Sequence, residues 1–172
     1  CYYYGDNVPN QVPLKHIREG LGEGYDDDVC NSEVILTRMQ VKDGKIVLPD
    51  GMRYEVLVMP DWKEVKVEVL VKLEQLVKAG ATIIGPKPVS ASGLQKGEAA
   101  NANVRRLANL VWGPVNGTTV LERNYGKGKV VHGKTVRQVL MEKGCQPDFE
   151  YQSRKKDAYI DYIHRSTGDA EI

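Results

Sequence analysis

Residues 54–88, YEVLVMPDWKEVKVEVLVKLEQLVKAGATIIGPKP, decide the fold of this chain. The first apolar run, residues 54–59, stops at a proline and is typical of a buried strand. Apolar residues then recur at helical spacing up to Gly80, a residue type that commonly ends helices. A second apolar run, residues 81–84, stops at another glycine. Strand, helix and strand in this order predict a βαβ unit with parallel strands and a right-handed crossover.

Part of the segment between the two runs also fits a strand. Valine recurs at every second position of residues 65–71, which is the period of a strand. The helical pattern is longer, because it continues through Ala79 to the stop at Gly80. Its length and its stop signal therefore favour a helix over most of this stretch.

The composition predicts one globular domain without a nucleic-acid or membrane partner. The chain has 172 residues, and 24 Lys and Arg nearly balance 23 Asp and Glu, which gives a net charge of +1. No apolar run approaches the roughly 20 residues of a transmembrane helix. Both ends fall inside predicted strands, so we expect the chain to be a piece of a longer protein.

The remaining sequence alternates strands and helices in the same way. Predicted strands are residues 2–4, 54–59, 81–84 and 129–132, predicted helices are residues 14–21, 33–37, 98–111 and 135–143, and predicted loops are residues 89–97 and 112–128. Two late strands are predicted at residues 147–151 and 158–165. Asp43-Gly44 lies between two alternating arms and predicts a β-hairpin inserted at about residues 38–49.

These elements predict an α/β fold with about five parallel strands. The arrangement is a three-layer sandwich whose mainly parallel sheet is flavodoxin-like or like that of class I glutamine amidotransferases, with the hairpin as an insertion. We expect this domain to cover residues 1–152. Residues 153–172 are then a strand-rich tail that leads into a following β-domain.

A formal phosphate-loop motif is present but lies in the wrong structural context. Residues 128–135, GKVVHGKT, fit the pattern G-x-x-x-x-G-K-[ST]. In a true phosphate loop the strand precedes the first glycine, whereas here the predicted strand 129–132 lies inside the motif. No G-x-G-x-x-G sequence lies between a strand and a helix either. We therefore predict no nucleotide site and no cofactor in this chain.

The metal-binding and nucleophilic residue types also lack productive spacing. Cys1, Cys30 and Cys145 are far apart, form no Cys-x-x-Cys pair and are odd in number, which argues against zinc sites and disulfides. Cys30 follows the acidic residues 26–28, which should raise its pKa and make it a poor nucleophile. The same acidic run lacks the spacing of a calcium-binding EF-hand loop, so no metal site is predicted.

The first candidate site residues follow the first strand. Asp6, Asn7 and Asn10 lie in the loop at its carboxyl end, and ligands of open α/β sheets bind at the carboxyl ends of strands. The alternative is that Asp and Asn only form the turn.

A second group of candidates lies in the tail. Arg165 carries a planar fork suited to binding a carboxylate, and His164 can donate or accept a proton near neutral pH. Asp169 belongs to a predicted tight turn. The alternative is a polar hairpin in which Arg165 forms a surface ion pair worth under about 1 kcal/mol.

Several stretches taken together resemble the large bacterial α-L-rhamnosidases of glycoside hydrolase family 106. They are residues 2–10 (YYYGDNVPN), 24–31 (GYDDDVCN), 36–39 (LTRM), 41–52 (VKDGKIVLPDGM), 79–88 (AGATIIGPKP) and 162–170 (YIHRSTGDA). Residues 62–67 depart from the family pattern at the predicted start of a helix. The resemblance implies an amidotransferase-like α/β domain that follows a catalytic barrel, in an inverting enzyme with glutamate acid and base residues and a calcium ion near the sugar.

The resemblance places those catalytic residues before Cys1, so none is assigned to this chain. It implies an accessory domain that supports the barrel of an enzyme acting on terminal α-L-rhamnosyl linkages in plant-type polysaccharides, in the periplasm or outside the cell. The expected partners are the neighbouring domains and the carbohydrate substrate. Alternatives from other classes are a stand-alone carbohydrate-binding or interaction module and an independent small hydrolase.

Overall fold

The computed structural model describes residues 1–6, 17, 20–93, 97–155, 158, 160, 162–165 and 167–170. The strands are β1 Tyr2–Tyr3, β2 Val29–Cys30, β3 Gln40–Lys42, β4 Lys45–Val47, β5 Arg53–Tyr54, β6 Leu57–Val58, β7 Glu64–Val65, β8 Thr82–Ile84, β9 Ser90–Ala91, β10 Glu122–Tyr125 and β11 Gly128–Val131. The helices are α1 Ser32–Thr37, α2 Val67–Ala79, α3 Glu98–Trp112 and α4 Val136–Glu142. Residues 17, 20 and 21 are also helical, within a predicted helix that lies mostly outside the described residues.

The central sheet has six strands in the order β10-β11-β8-β6-β1-β2. The five strands from β11 to β2 are parallel, and β10 is an antiparallel edge strand. Numbered along the chain, the parallel strands have the order 2-1-3-4-5, and the order reverses between β1 and β6. The predicted mainly parallel sheet is confirmed. The prediction of a loop at residues 112–128 is wrong for residues 122–125, which form β10. β10 is a strand because it pairs with β11.

Successive residues of the central strands face opposite sides of the sheet, as the pleat requires. One face meets α2 and α3 with the buried residues Tyr3, Leu57, Ile83 and Val130. The other face meets α4 and the helical residues Ile17 and Leu21 with the buried residues Tyr2, Val56, Ile84 and Val131. Helices therefore cover both faces of the sheet. This arrangement confirms the predicted three-layer sandwich.

The predicted hairpin is present as a separate antiparallel sheet of β3, β4 and β5. Asp43 and Gly44 form its turn with φ angles of 53° and 75°, as a type I′ turn requires. The single strand predicted at residues 54–59 is wrong, because the chain divides it between two sheets. Its first residue pairs in β5 of the hairpin sheet, whereas β6 lies in the central sheet.

The segment before α2 combines both structures that its sequence allowed. Val65 lies in β7, which pairs in parallel with β9, and the helix begins two residues later at Val67. The pairing shows that the predicted loop 89–97 contains a strand. At the other end Gly80 stops α2 with a φ of 133°, and its N–H donates to two carbonyls of the last turn.

The helix caps follow the sequence signals. The side chain of Asn31 accepts a hydrogen bond from the Val34 N–H at 3.0 Å and starts α1. Thr135 and Gln138 form the predicted capping box at the start of α4. Across the described ranges, every helix is too short or too polar to cross a membrane.

The prediction of late strands is wrong for the tail as far as it is described. Residues 147–155, 158, 160 and 162–165 contain no strand. Aromatic packing holds this part instead, since the Phe149 ring lies 6.0 Å from that of Tyr151 and 4.9 Å from that of Tyr162, between centroids. The Tyr151 hydroxyl also donates to the Ala158 carbonyl at 2.6 Å. Packed rings stabilise this segment without a neighbouring strand edge.

Candidate functional site

The carboxyl ends of the parallel strands meet at one edge of the central sheet, where the first candidate, Asp6, lies. The turn after β1 begins with Gly5, whose φ of +77° suits glycine. The Trp62 ring, from the turn after β6, covers this glycine so closely that a Cβ there would lie 2.8 Å from the ring. The two turns therefore pack directly on one another at the point where the strand order reverses.

Asp6 is held inside this edge by two partners. The Tyr3 hydroxyl donates to Asp6 Oδ2 at 2.6 Å, and Lys66 Nζ lies 2.8 Å from Asp6 Oδ1. The Asp6 side chain is only 7% exposed. Burial is the main cause that raises the pKa of the Tyr3 hydroxyl, and the hydrogen bond to Asp6 is the second. The hydroxyl therefore stays protonated and donates. Both carboxylate oxygens are thus engaged by side chains within the protein.

The other two candidates of this loop, Asn7 and Asn10, lie outside the described residues. The structure therefore neither adds them to the Asp6 cluster nor separates them from it. Their role at the carboxyl edge stays a prediction.

The turn after β8 is fixed by two side chains that the sequence did not single out. The Trp112 indole Nε1–H donates to the Gly85 carbonyl at 3.1 Å, and the whole ring is buried. Lys87 Nζ donates to the Gly113 carbonyl at 2.7 Å and to Asn109 Oδ1 at 3.2 Å. These bonds join the turn to the end of α3. In the sequence, Trp112 lies at the predicted end of a helix. Only its large aromatic side chain could have indicated that it is buried and structurally important.

The tail candidate His164 lies towards the opposite ends of the parallel strands from Asp6. His164 Nδ1 is 3.1 Å from Asp148 Oδ2, and the Asp148 N–H donates to the Gly24 carbonyl at 2.7 Å. Gly24 precedes β2, whereas Asp6 follows β1, and these two strands are parallel. The structure therefore does not bring the tail together with Asp6 in one site.

Arg165 and Asp169 are exposed on the surface of this chain. The tight turn predicted around Asp169 is confirmed, because the Thr167 N–H donates to the Ala170 carbonyl at 2.8 Å. Both residues are accessible to a neighbouring domain, as an interface role requires.

The cysteines lack the environment of a nucleophile. Cys30 is buried, and burial raises the pKa of its thiol to about 12, with the Asp28 carboxylate acting in the same direction. Burial, followed by the nearby Glu55 carboxylate, also raises the pKa of Cys145. A thiol is nucleophilic as its thiolate, so the prediction that Cys30 is a poor nucleophile is confirmed.

The acidic run at residues 26–28 does not converge on a common point. Asp26 Oδ1 accepts a hydrogen bond from the Asp27 N–H at 2.8 Å, and Asp28 Oδ2 accepts one from the Tyr54 hydroxyl at 2.9 Å. Across the described ranges, no group of three or more His, Cys, Asp or Glu residues could hold a metal ion. The run therefore does not fit the calcium ion that the family resemblance implies for the parent enzyme.

The phosphate-loop motif is a strand followed by a helix cap. β11 occupies its first four residues, and Thr135, its last residue, caps α4. Val130 and Val131 are fully buried on opposite faces of the sheet. The predicted position of the strand inside the motif is confirmed, and these buried residues cannot also wrap a phosphate.

Comparison with known proteins places the chain in a family. A model described as alpha-L-rhamnosidase, glycoside hydrolase family 106, matches residues 1–172. A protein of Formosa agariphila named "Putative beta-glucuronidase" is 34% identical over 170 residues, which are 99% of this chain but 13% of that protein. The rhamnosidase from Novosphingobium sp. PP1Y shares the fold with a TM-score of 0.80 and 24% identity, over 99% of this chain and 16% of that one. Since the family model covers every residue, the chain belongs to the alpha-L-rhamnosidase family 106 of glycoside hydrolases.

Proposed function

We propose that this chain is an accessory α/β domain that supports the catalytic barrel of a large glycoside hydrolase. The proposal depends on the length of this chain relative to its relatives. The chain matches its relatives over 99% of its own residues but spans only 13% and 16% of theirs. A small domain inside a long enzyme has ample polypeptide outside it to supply the catalytic residues.

The chemistry of the described residues supports an accessory role. The most buried candidate carboxylate, Asp6, is engaged by Tyr3 and Lys66, and burial suppresses the thiolate of Cys30. A glycosidase needs two carboxyl groups flanking the scissile bond, one of them free to give a proton. Asp6 follows β1, whereas His164 lies beside Asp148, which bonds to Gly24 before the parallel strand β2, so the structure does not place these two candidates together.

The substrate of the parent enzyme is proposed from its relatives. The family model and the Novosphingobium enzyme carry the name rhamnosidase, which favours α-L-rhamnosyl linkages as the substrate. That these linkages are terminal ones of plant-type polysaccharides is what the family resemblance implies. The Formosa protein carries the name of another glycosidase, so the sugar can vary among relatives. We place the calcium ion of the parent enzyme outside this chain, and the enzyme itself in the periplasm or outside the cell.

The strand order supports a likeness to other α/β domains. The order 2-1-3-4-5 of the parallel strands is that of flavodoxin-like sheets. We infer that the domain is flavodoxin-like or amidotransferase-like in fold. The turns after β6 and β8 lack the Cys, Ser or Thr of an amidotransferase elbow, because they read Met59-Pro60-Asp61 and Gly85-Pro86-Lys87.

The isolated chain should not hydrolyse aryl α-L-rhamnosides, because the paired carboxylates lie outside it. Release of the chromogenic aryl group by the purified 172-residue chain is compared with that by the full-length enzyme. Circular dichroism shows whether the isolated chain is folded. Hydrolysis by the chain that disappears in its Asp6→Asn variant would move the active site into this domain and overturn the accessory role.

Arg165→Ala in the full-length enzyme should lower kcat/KM by about fivefold or more, or destabilise the protein by about 1 kcal/mol. The reason is that an exposed guanidinium in the tail is suited to a carboxylate of a neighbouring domain. Arg154→Ala is the matched control, since Arg154 is also an exposed arginine of the tail. Equal kcat/KM and equal melting temperature for both variants would make the tail a connector only.

A further inference from the structure

The outer edge of β2 is an open side of the central sheet. β2 is the last strand in the sheet order and pairs with β1 on one side. Among the residues that the structure describes, no strand pairs with its other side. Val29 is 47% exposed on this edge. Natural proteins cover or blunt such edges, because their unpaired N–H and C=O groups bind any available strand.

An apolar groove runs beside this edge. It lies between β2, α1 and the hairpin sheet, has a volume of about 390 Å³, and is lined by the apolar side chains of Val29, Val34, Leu48 and Met52. Met52 is 50% exposed. A second cavity of about 190 Å³ adjoins the groove, since Cys1 and Tyr54 line both. The strand edge, the exposed apolar surface and the two cavities therefore lie next to one another.

The rim of this side is acidic. Arg38 NH2 is already engaged by Asp50 Oδ2 at 2.5 Å, and the Asp28 carboxylate accepts from Tyr54. Asp27 has no side-chain ion pair within the described ranges and lines the smaller cavity. Burial raises the pKa of the Asp27 carboxyl, and the Asp26 charge acts in the same direction. A cation brought close to Asp27 would therefore be favourable.

We propose that this side is the docking surface for another domain of the same polypeptide. That domain lays an extended segment along β2, places apolar side chains in the groove and brings a Lys or Arg to Asp27. The inference rests on the proposed function, in which this chain is one domain of a larger enzyme. Most of that enzyme lies outside the chain, which spans 13% and 16% of its relatives. Strand addition supplies affinity through main-chain hydrogen bonds, and side-chain pockets supply specificity.

Two methionines of the domain allow a test without mutation. Met52 lies in the groove and is 50% exposed, whereas Met141 on α4 is 43% exposed outside it. The full-length protein is treated with hydrogen peroxide, and peptide mass spectrometry follows the oxidation of both residues. The same reaction in denaturant gives the unprotected rate of each.

In the native full-length protein, Met52 should oxidise at least about tenfold more slowly than in denaturant, because the docked segment excludes the oxidant. Met141 should be protected less than Met52, because only its own domain and a hydrogen bond from the Tyr25 hydroxyl to its sulfur, at 3.4 Å, shield it. A native Met52 rate within about twofold of the denatured rate would overturn the proposal. Protection that appears only when the protein self-associates at high concentration would also overturn it, because the occupant would then be a second copy.

A pair of variants provides the independent measurement. Met52→Glu in the full-length enzyme should expose β2 and make residues 26–30 accessible to protease, whereas Leu110→Glu, at an exposed position of α3, should leave that segment protected. Equal cleavage of the two variants would contradict the proposal. If Met52 proves open while the isolated chain still lacks hydrolase activity, the accessory role stands and only this docking surface is wrong.

Discussion

Trp112→Ala should lower the free energy of unfolding of this chain by about 3–5 kcal/mol. Trp112 is the last residue of α3 and is 0% exposed in the larger of the two hydrophobic clusters. Its removal leaves a cavity between α3 and the sheet, and it also deprives the Gly85 carbonyl of its donor. Urea unfolding followed by circular dichroism measures the change.

Two further variants separate the packing of Trp112 from its hydrogen bond. Trp112→Phe keeps most of the buried ring but leaves the Gly85 carbonyl without its partner, so it should cost about 1–3 kcal/mol. Leu110→Ala, at an exposed position of the same helix, should stay within about 0.5 kcal/mol of the wild type. A cost for Trp112→Ala as small as that of Leu110→Ala would mean that α3 does not pack on the sheet as described.

The parts of the fold that could be predicted are those in which neighbouring residues decide the structure. The apolar period of residues 54–88 predicted α2 and β8, and Asp43-Gly44 predicted the hairpin, because each signal lies within the element itself. The caps at Asn31 and Thr135 follow the same logic, since a capping side chain bonds an N–H two or three residues away.

The parts that could not be predicted depend on partners far along the chain. β7 and β9 have two residues each. The alternating valines that begin at Val65 also fit a helix, so only the pairing of β7 with β9 defines these strands. β10 is a strand because β11 lies beside it, and its sequence, Glu122–Tyr125, is mostly polar. Strand formation of this kind depends on long-range contacts rather than on local propensity.

Prediction of the candidate site from the sequence was limited for the same reason. Asp6 was identified correctly as a residue at the carboxyl end of β1, but its engagement by Lys66 joins residues 60 positions apart, which no local pattern reports. Likewise, the sequence could not show that His164 lies near Asp148, towards the opposite ends of the parallel strands. Position along a strand was therefore predictable, and the partners of each side chain were not.

Gly128→Ala should lower the free energy of unfolding by about 3 kcal/mol, the upper end of the range for an overpacked site. Gly128 begins β11, and an added Cβ would overlap the carbonyl oxygens of Ala81 and Val77. These are backbone atoms at the start of β8 and near the end of α2, so the chain cannot relieve the overlap by rotating a side chain. The cost arises from this steric overlap, since Gly128 is not among the glycines with a positive φ angle.

Gly97→Ala is the matched control for Gly128→Ala. Gly97 is the N-cap of α3, with an extended φ of 173° and open space around it. Gly97→Ala therefore causes no steric overlap and should cost only about 0.5–1 kcal/mol, because alanine is a poorer N-cap than glycine. Calorimetric titration with ATP and Mg²⁺ accompanies the unfolding experiments, and the wild type should show no saturable heat. If Gly128→Ala unfolds like the wild type while abolishing a measurable ATP affinity, Gly128 belongs to a phosphate loop after all. Loss of stability without any nucleotide binding would instead assign this glycine to the packing of β11 against α2 and β8.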